Sequence, residues 1–288
     1  MKPSPFAYSA PGSLDEALAV LAQVGADGKV LAGGQSLLPI LNMRLAAPAH
    51  IVDVNGLTEL AYVRVDNQTV RVGALARHAD VEHHDEAYDA LPLLRQALRL
   101  VAHPVIRNRG TTVGSIAHAD PSGEMTAVLA LTGGRVEIAG NGSTRTVEAA
   151  DFFVGPLESC LQPGELAVAA EFPRLPARTG TTFVEVARRH GDYAICGLAA
   201  AVTLGSGGGI DRARVAYISV APTPLVLDLI DAVGSDRSIE DADWAAAGDL
   251  AADSADPEAD IHASADYRRH LLRVLTARAL REAAGRAA

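Results

Sequence analysis

Lys29-Val30-Leu31-Ala32-Gly33-Gly34-Gln35-Ser36-Leu37-Leu38-Pro39 sets the reading of everything around it. The apolar run Lys29 to Ala32 reads as a buried strand, Gly33-Gly34 turns the chain, and a helical turn follows around Leu37 to Leu41. Glycines without a β-carbon let a backbone approach a pyrophosphate, with successive N–H groups and a helix N-terminus facing the anion. Ser36 adds a hydroxyl donor. A Gly-Gly pair after a strand is more often just an ordinary tight turn, and taken alone the loop favours that plainer reading. It lacks Gly-x-Gly-x-x-Gly and the Lys-Ser/Thr of a P-loop, which disfavours a Rossmann dehydrogenase and an ATPase.

Upstream, Ser13 and Glu16 have capping-box spacing, and Leu14, Ala17, Leu18 and Leu21 share one face of a helix that Gly25 stops. Downstream, Ile51 to Val54 is a second buried strand, so the chain opens as a small α/β unit. Val63 and Val65 then alternate with polar residues, Asp66-Asn67-Gln68 turns, and Val70 and Val72 resume the alternation. Helices are expected at Leu91 to Val101 and Glu124 to Leu131, and a hairpin at Arg135 to Ala139 and Thr144 to Val147 with its turn at Asn141-Gly142. Leu166 to Phe172 reads as a strand. Pro173, Pro176 and Gly180 break the pattern and mark a domain boundary. Beyond it come strands at Phe183 to Ala187, Ala194 to Leu204 and Val215 to Val220, a turn at Ser206 to Gly209, and a helix over Ala265 to Ala284. The fold class is α+β, with two domains, residues 1–175 (lobes about 1–58 and 59–175) and a smaller antiparallel sheet with helices at 176–288.

Composition narrows the function. The 288 residues carry 25 basic and 35 acidic side chains, a net charge of -10, which repels phosphate backbones and argues against nucleic-acid binding. Nine acids against one base, Arg237, fall between Asp236 and Asp260 and read as a solvated surface. Cys160 and Cys196 are too few for an ordinary iron–sulfur cluster or a thiolate zinc site. Cys196, on an apolar strand, reads as an inert core residue. Met1 to Gly12 has no signal-like apolar region, and no stretch reaches the length of a membrane span, so a cytoplasmic location is expected. His78, His83 and His84, with Asp80, Glu82 and Asp85, read as a solvated helix or loop; no metal site is expected.

A second loop, Arg107-Asn108-Arg109-Gly110-Thr111-Thr112-Val113-Gly114-Ser115, runs on through Ile116-Ala117-His118-Ala119-Asp120-Pro121 and again lines up glycines and hydroxyls. Two such loops make a dinucleotide cleft more plausible than one. The pair resembles the two FAD-binding motifs of the medium subunit of carbon-monoxide-dehydrogenase-type molybdenum hydroxylases, relatives of the xanthine dehydrogenase flavin domain. Phe152-Phe153-x-Gly155 with Leu161-x-Pro163-x-Glu165, Glu185 through Ala194, and Ser264-Ala265-x-Tyr267-Arg268-Arg269 with Val274-Leu275 and Arg278-Ala279-Leu280 extend the likeness nearly end to end.

The resemblance implies an FAD-binding electron-transfer subunit with no catalytic acid or base of its own. It would work beside a large molybdenum–pterin subunit and a small subunit with two-iron clusters, as a dimer of heterotrimers. Leu31, Ala32, Gly33, Gly34, Gln35, Ser36 and Leu37 would wrap the pyrophosphate from the first lobe, and Gly110, Thr111, Gly114 and Ser115 from the second. Glu124 would take a ribose or nearby hydroxyl, Val101, Ala102 and Leu161 would line the adenine and flavin walls, and Tyr193 would stack on the isoalloxazine. His118 reads equally as a group hydrogen-bonding near the flavin or as filler of the loop core. Two places depart from the pattern. Val113 stands where a glycine is usual, which raises the expectation of strain if that position needs positive φ. Ala221-Pro222-Thr223-Pro224 replaces a more glycine-rich turn. The alternatives are a self-sufficient FAD-dependent oxidase or reductase and a scaffold that has lost FAD.

Overall fold

The computed structural model describes residues 2–140 and 142–288, so Met1 and the expected hairpin turn residue Asn141 lie outside the described residues. The first lobe is β1 (Ala7–Ser9), α1 (Leu14–Val24), β2 (Gly28–Leu31), α2 (Leu37–Asn42) and β3 (His50–Asp53). Its three strands are parallel in the order β1-β3-β2. The Ser13 hydroxyl caps α1 by accepting the Glu16 N–H, and the Glu16 carboxylate accepts the N–H of Gly12. β1 has no counterpart in the sequence reading.

The second lobe is built on an antiparallel sheet in the order β4-β5-β10-β6-β7, from β4 (Val63–Val65), β5 (Thr69–Gly73), β6 (Arg135–Gly140), β7 (Ser143–Glu148) and β10 (Leu166–Pro173). Val70, Val72, Val136, Ile138 and Phe172 bury one face. Between β5 and β6 run α3 (His78–Glu82), α4 (Asp85–Ala90), α5 (Pro92–Leu98), α6 (Pro104–Arg107), α7 (Thr112–His118) and α8 (Glu124–Thr132). The stretch expected as one long second loop is therefore two short helices joined at Asn108 to Thr111. α9 (Ala149–Phe152) and a small hairpin, β8 (Phe153–Gly155) with β9 (Glu158–Ser159), complete the lobe.

The C-terminal sheet is antiparallel, β11-β12-β13-β14: β11 (Thr179–Val186), β12 (Cys196–Leu204), β13 (Ile210–Ile218) and β14 (Leu225–Asp228). It is followed by α10 (Ile230–Val233), α11 (Trp244–Asp253) and α12 (Ala265–Ala287). β12 is buried along its whole length, because helices cover both faces of the sheet. Leu198, Ala200 and Val202 meet the core under α11 and α12, while Ala199 and Ala201 belong to the core shared with the two N-terminal lobes, on the side where α5 and α8 pack. Hydrophobic packing thus runs unbroken across the Pro173–Gly180 connection.

Gly180 corrects the sequence reading: it is not a breaker but lies inside β11. A Cβ there would stand 2.0 Å from the Ala283 carbonyl oxygen of α12, so the missing side chain seats the helix on the sheet. β13 also begins earlier than expected, and β14 was not foreseen.

Candidate functional site

The first glycine loop leaves β2 and enters α2. Its backbone is held from outside: Val54 N–H donates to Leu31 O (3.0 Å), and Asn55 Nδ2 donates to Ala32 O (2.8 Å). Gly34 has φ +73°, and Leu38 N–H returns to Gly34 O (3.0 Å). Among the described residues, the N–H groups of Gly33, Gly34, Gln35, Ser36 and Leu37 find no protein acceptor. The Ser36 hydroxyl makes no cap bond, and Gln35 Nε2 folds back on Gly33 O (3.0 Å). Five successive free N–H donors around a left-handed glycine form an anion-binding concavity.

The second motif meets the first at Gly33. A Cβ on Gly33 would stand 2.5 Å from Arg109 O and 2.7 Å from Gly110 Cα, so the two loops touch backbone to backbone. Arg77 fastens them: its Nη1 donates to Arg109 O (2.7 Å) and its Nη2 to Asn55 Oδ1 (2.8 Å), while Arg77 and Thr111 form a β-bridge. Under Gly110 lies buried His78, whose N–H donates to Gly110 O (2.9 Å) and whose ring pairs with the Thr112 hydroxyl (3.2 Å). Burial, then the charge of Arg107, pushes the His78 pKa down to about 4, so the ring is neutral at pH 7. His78 is thus a buried support rather than the solvated residue expected. Thr111 caps α7, its Oγ1 accepting from Gly114 N–H (3.2 Å), and Ser115 N–H donates to Thr111 O. Val113 is the second residue of α7, buried, and absent from the positive-φ positions. The expected strain does not arise; the valine anchors the helix in the core.

The remaining expected site residues lie on both domains. Val101 and Ala102 sit at the corner between α5 and α6, with Ala102 at φ +45°. Arg107, ion-paired to Glu82 (2.7 Å), donates to Val101 O (3.0 Å) and Ala102 O (3.4 Å). Leu161 packs half-buried beside Cys160 at the edge of the large core, just after β9, which lies against α7. Glu124 opens α8. Burial, opposed by a hydrogen bond from its own N–H and reinforced by the charges of Glu185 and Asp120, pushes its pKa up to about 8. Glu185 lies on the same face of β11 as Phe183, toward the N-terminal lobes; burial raises it to about 7, and its Oε2 has no partner among the described residues. Tyr193 exposes 70 % of its surface. Desolvation of its phenol end, with the negative charges of Asp120 and Glu124 nearby, pushes its pKa up to about 12. His118 is half-buried, and burial lowers its pKa. Ala119, Leu157 and Ser219 join Ala102 at positive φ, and they are tied together: Leu157 N–H donates to Ala119 O (2.9 Å) and Ser219 N–H to Pro121 O (2.8 Å). Such strained residues concentrate at functional sites.

The structure thus brings the two expected motifs into contact at Gly33, and sets Tyr193 near Asp120 and Glu124 and, through Gly191, near Ala102. Asn55, Arg77, Glu82, Arg107, Asp120 and Glu185 were not assigned roles beforehand. Arg107 and Asp120 lay inside the quoted motif, but no local pattern revealed their bonds. Among the described residues no cluster of His, Cys, Asp and Glu is arranged to hold a metal, and no helix is long and apolar enough to cross a membrane. The free N–H run and the side-chain-free approach at Gly33 fit the pyrophosphate of a dinucleotide such as FAD.

Known proteins carry the same architecture. Residues 4–175 match the FAD binding domain in molybdopterin dehydrogenase, and residues 181–283 match the CO dehydrogenase flavoprotein C-terminal domain. The chain is 39 % identical over 287 residues to the alpha subunit of the 6-hydroxypseudooxynicotine dehydrogenase complex of Paenarthrobacter nicotinovorans, covering 100 % of this chain and 97 % of the relative. The carbon monoxide dehydrogenase of Hydrogenophaga pseudoflava, solved without the Mo-pyranopterin moiety of its cofactor, superposes with a TM-score of 0.93 at 36 % identity, covering 100 % of both chains. Quinoline 2-oxidoreductase from Pseudomonas putida 86 gives a TM-score of 0.91 at 37 % identity, covering 100 % of this chain and 99 % of that one. The chain belongs to the family of FAD-binding subunits of molybdopterin dehydrogenases, with the CO dehydrogenase medium chain among its relatives.

Proposed function

We propose that this chain is the FAD-carrying electron-transfer subunit of a cytoplasmic molybdenum hydroxylase, working beside a large molybdenum-binding subunit and a small iron–sulfur subunit in a dimer of heterotrimers. The observation that carries the reading is the run of free N–H groups from Gly33 to Leu37, met at Gly33 by the backbone of Arg109 to Thr111. The full-length match to subunits of dehydrogenase complexes supports it.

FAD, when bound, supplies the redox chemistry, and the protein supplies binding, orientation and electrostatics. Gly33 to Leu37 hold the pyrophosphate, with Leu31 and Ala32 as the wall behind it. Gly110, Thr111, Gly114 and Ser115 close the second side. Glu124, with its raised pKa, meets a hydroxyl as either donor or acceptor near neutral pH. Val101, Ala102 and Leu161 flank the rings, and exposed Tyr193 offers its face to the isoalloxazine and excludes water. Substrate is oxidised in the molybdenum subunit, so no acid–base pair is needed here.

The test is co-expression with the neighbouring genes, followed by a visible spectrum and metal analysis of what co-purifies. The expected result is a complex containing FAD, iron and molybdenum. A yellow, metal-free single chain that turns over a substrate would overturn the reading in favour of a self-sufficient flavin oxidase or reductase.

A further inference from the structure

The corner Val101 to His103 belongs to no helix or strand, yet it supports the only part of the C-terminal domain that the family reading places over the flavin. We infer that Arg107 is a positioning residue: held by Glu82, it fixes the Val101–Ala102 corner and, through Gly191, the height at which Tyr193 covers the flavin. The inference rests on the proposal that FAD binds in this cleft.

Three observations carry it. First, Arg107 is buried and grips the corner with one arm of its guanidinium, Nη1 reaching both Val101 O (3.0 Å) and Ala102 O (3.4 Å), while Nε is fixed by Glu82 (2.7 Å). Each side chain of the ion pair is 10 % exposed, so the pair is shielded and its geometry is stiff. Second, Ala102 is held at φ +45°, a conformation that an alanine keeps only when its surroundings impose it. Third, the β11–β12 connection rests on this corner without slack. Gly191 has φ +83°, and a Cβ on it would stand 2.7 Å from His103 Cε1 and 3.1 Å from Ala102 C. The same connection is braced internally by Arg189–Asp192 (3.1 Å) and by Asp192 N–H to Arg189 O (3.1 Å). Tyr193 follows directly. Any movement of the corner is therefore passed to the tyrosine ring, because the Gly191 backbone packs directly on the His103 ring and on the backbone of Ala102.

Lysine cannot reproduce the arrangement. Its ammonium is a point charge and lacks the planar fork that binds a carboxylate and a carbonyl pair in fixed directions. The test uses Arg107→Lys and Tyr193→Phe, alone and combined, in the FAD-loaded protein, with three readouts: melting temperature, FAD dissociation constant, and fluorescence yield of bound FAD. An adjoining tyrosine quenches flavin emission by electron transfer, so the yield reports where the ring stands. Arg107→Lys is expected to brighten bound FAD severalfold and to weaken binding about two- to tenfold, the worth of one aromatic stack. The double variant should be no brighter than Tyr193→Phe alone. A lowered melting temperature with FAD as dark as in the wild type, or additive brightening in the double variant, overturns the inference. If Arg107→Lys fails to fold, Glu82→Gln, which keeps the shape and removes the charge, carries the same readouts with the same expected sign. A wild-type complex with its partner subunits that contains no FAD would instead sink the proposed function, which separates the two failures.

Discussion

Gly33→Ala tests whether the two loops form one cradle. The added methyl would lie 2.5 Å from Arg109 O, against about 3.4 Å for an ordinary contact, so the loops must part by about 0.9 Å. All three neighbours, Arg109 O, Gly110 Cα and Thr111 N, are backbone atoms. They cannot yield cheaply: Arg77 holds Arg109 O, His78 N–H holds Gly110 O, and Gly110 N–H is tied to Ile106 O at 2.7 Å. A parting of that size takes a hydrogen bond of about 2.9 Å beyond its useful range. Losing one bond to a charged phosphate costs about 1.5–3 kcal/mol, or about ten- to 150-fold in affinity. The assay is fluorescence titration of the apoprotein with FAD, beside its melting temperature. Gly133→Ala is the control, because Gly133 has nothing within 4 Å of a new Cβ, and its positive φ (+64°), which Gly33 lacks, makes the control the more strained backbone position. It should lower stability by about 1 kcal/mol and leave FAD affinity alone. A folded Gly33→Ala protein that binds FAD within a factor of two of wild type would refute the joint cradle.

Other substitutions separate fold from site. Val113→Gly removes a buried valine from the first turn of α7 and adds helix entropy loss, together about 2–4 kcal/mol, so thermal melting should fall by several degrees while FAD affinity stays within a few-fold. A gain in FAD affinity would show that valine does obstruct the phosphate. Glu124 keeps its proton in the fold up to about pH 8 but loses it near 4.5 when unfolded, so its contribution to stability is present at low pH and is lost as pH rises between those values. Melting curves of the apoprotein from pH 5 to 9 should therefore flatten in Glu124→Gln; an unchanged slope would show that the carboxyl ionises normally. Gly180→Ala puts a methyl 2.0 Å from Ala283 O and 2.5 Å from Ala287 N, and the end of α12 should become open to limited proteolysis, at a cost at or above the upper end of about 1–3 kcal/mol. Wild-type resistance would mean that the helix end moves freely.

What the sequence reveals depends on how local each cause is. The first loop is legible because a nest of N–H groups is made by consecutive residues, and strand, Gly-Gly and helix stand in line from Lys29 to Leu41. The second motif is legible as chemistry but not as structure: α6 and α7 span four and seven residues, too few turns to show a period, and read as loop. β1, three residues long, has the same difficulty. Gly180 misleads for a different reason. Its role is set by α12, a hundred residues further on, and a glycine needed for close approach looks the same in sequence as a glycine that breaks a strand. Arg77 and Arg107 are silent because their partners, Asn55, Arg109, Glu82 and the Val101 carbonyl, meet them only in the finished fold. Tyr193 and Glu124 came from family resemblance rather than from any spacing.

The cleft-wall role proposed for Tyr193 asks how a residue of the second domain can be placed without losing definition. β11 and β12, which flank the Gly191 turn, are not a loose appendage: Phe183, Ala199, Ala201, Ala216 and Ile218 sit in the same core as the helices behind the FAD loops. The small residues matter here. Ala199 and Ala201 let α8 approach one face, and Gly180 lets α12 approach the other, so β12 is clamped between two helical layers. A close-packed interior transmits displacement instead of absorbing it. The tyrosine is consequently placed by two constraints at once, the sheet that carries its turn and the corner on which that turn rests, and each is fixed to the lobes that carry the proposed phosphate cradle. The low aromatic content of 4 % is consistent with this design: alanine and glycine at the domain contact set distances that bulkier residues would leave slack or overfill.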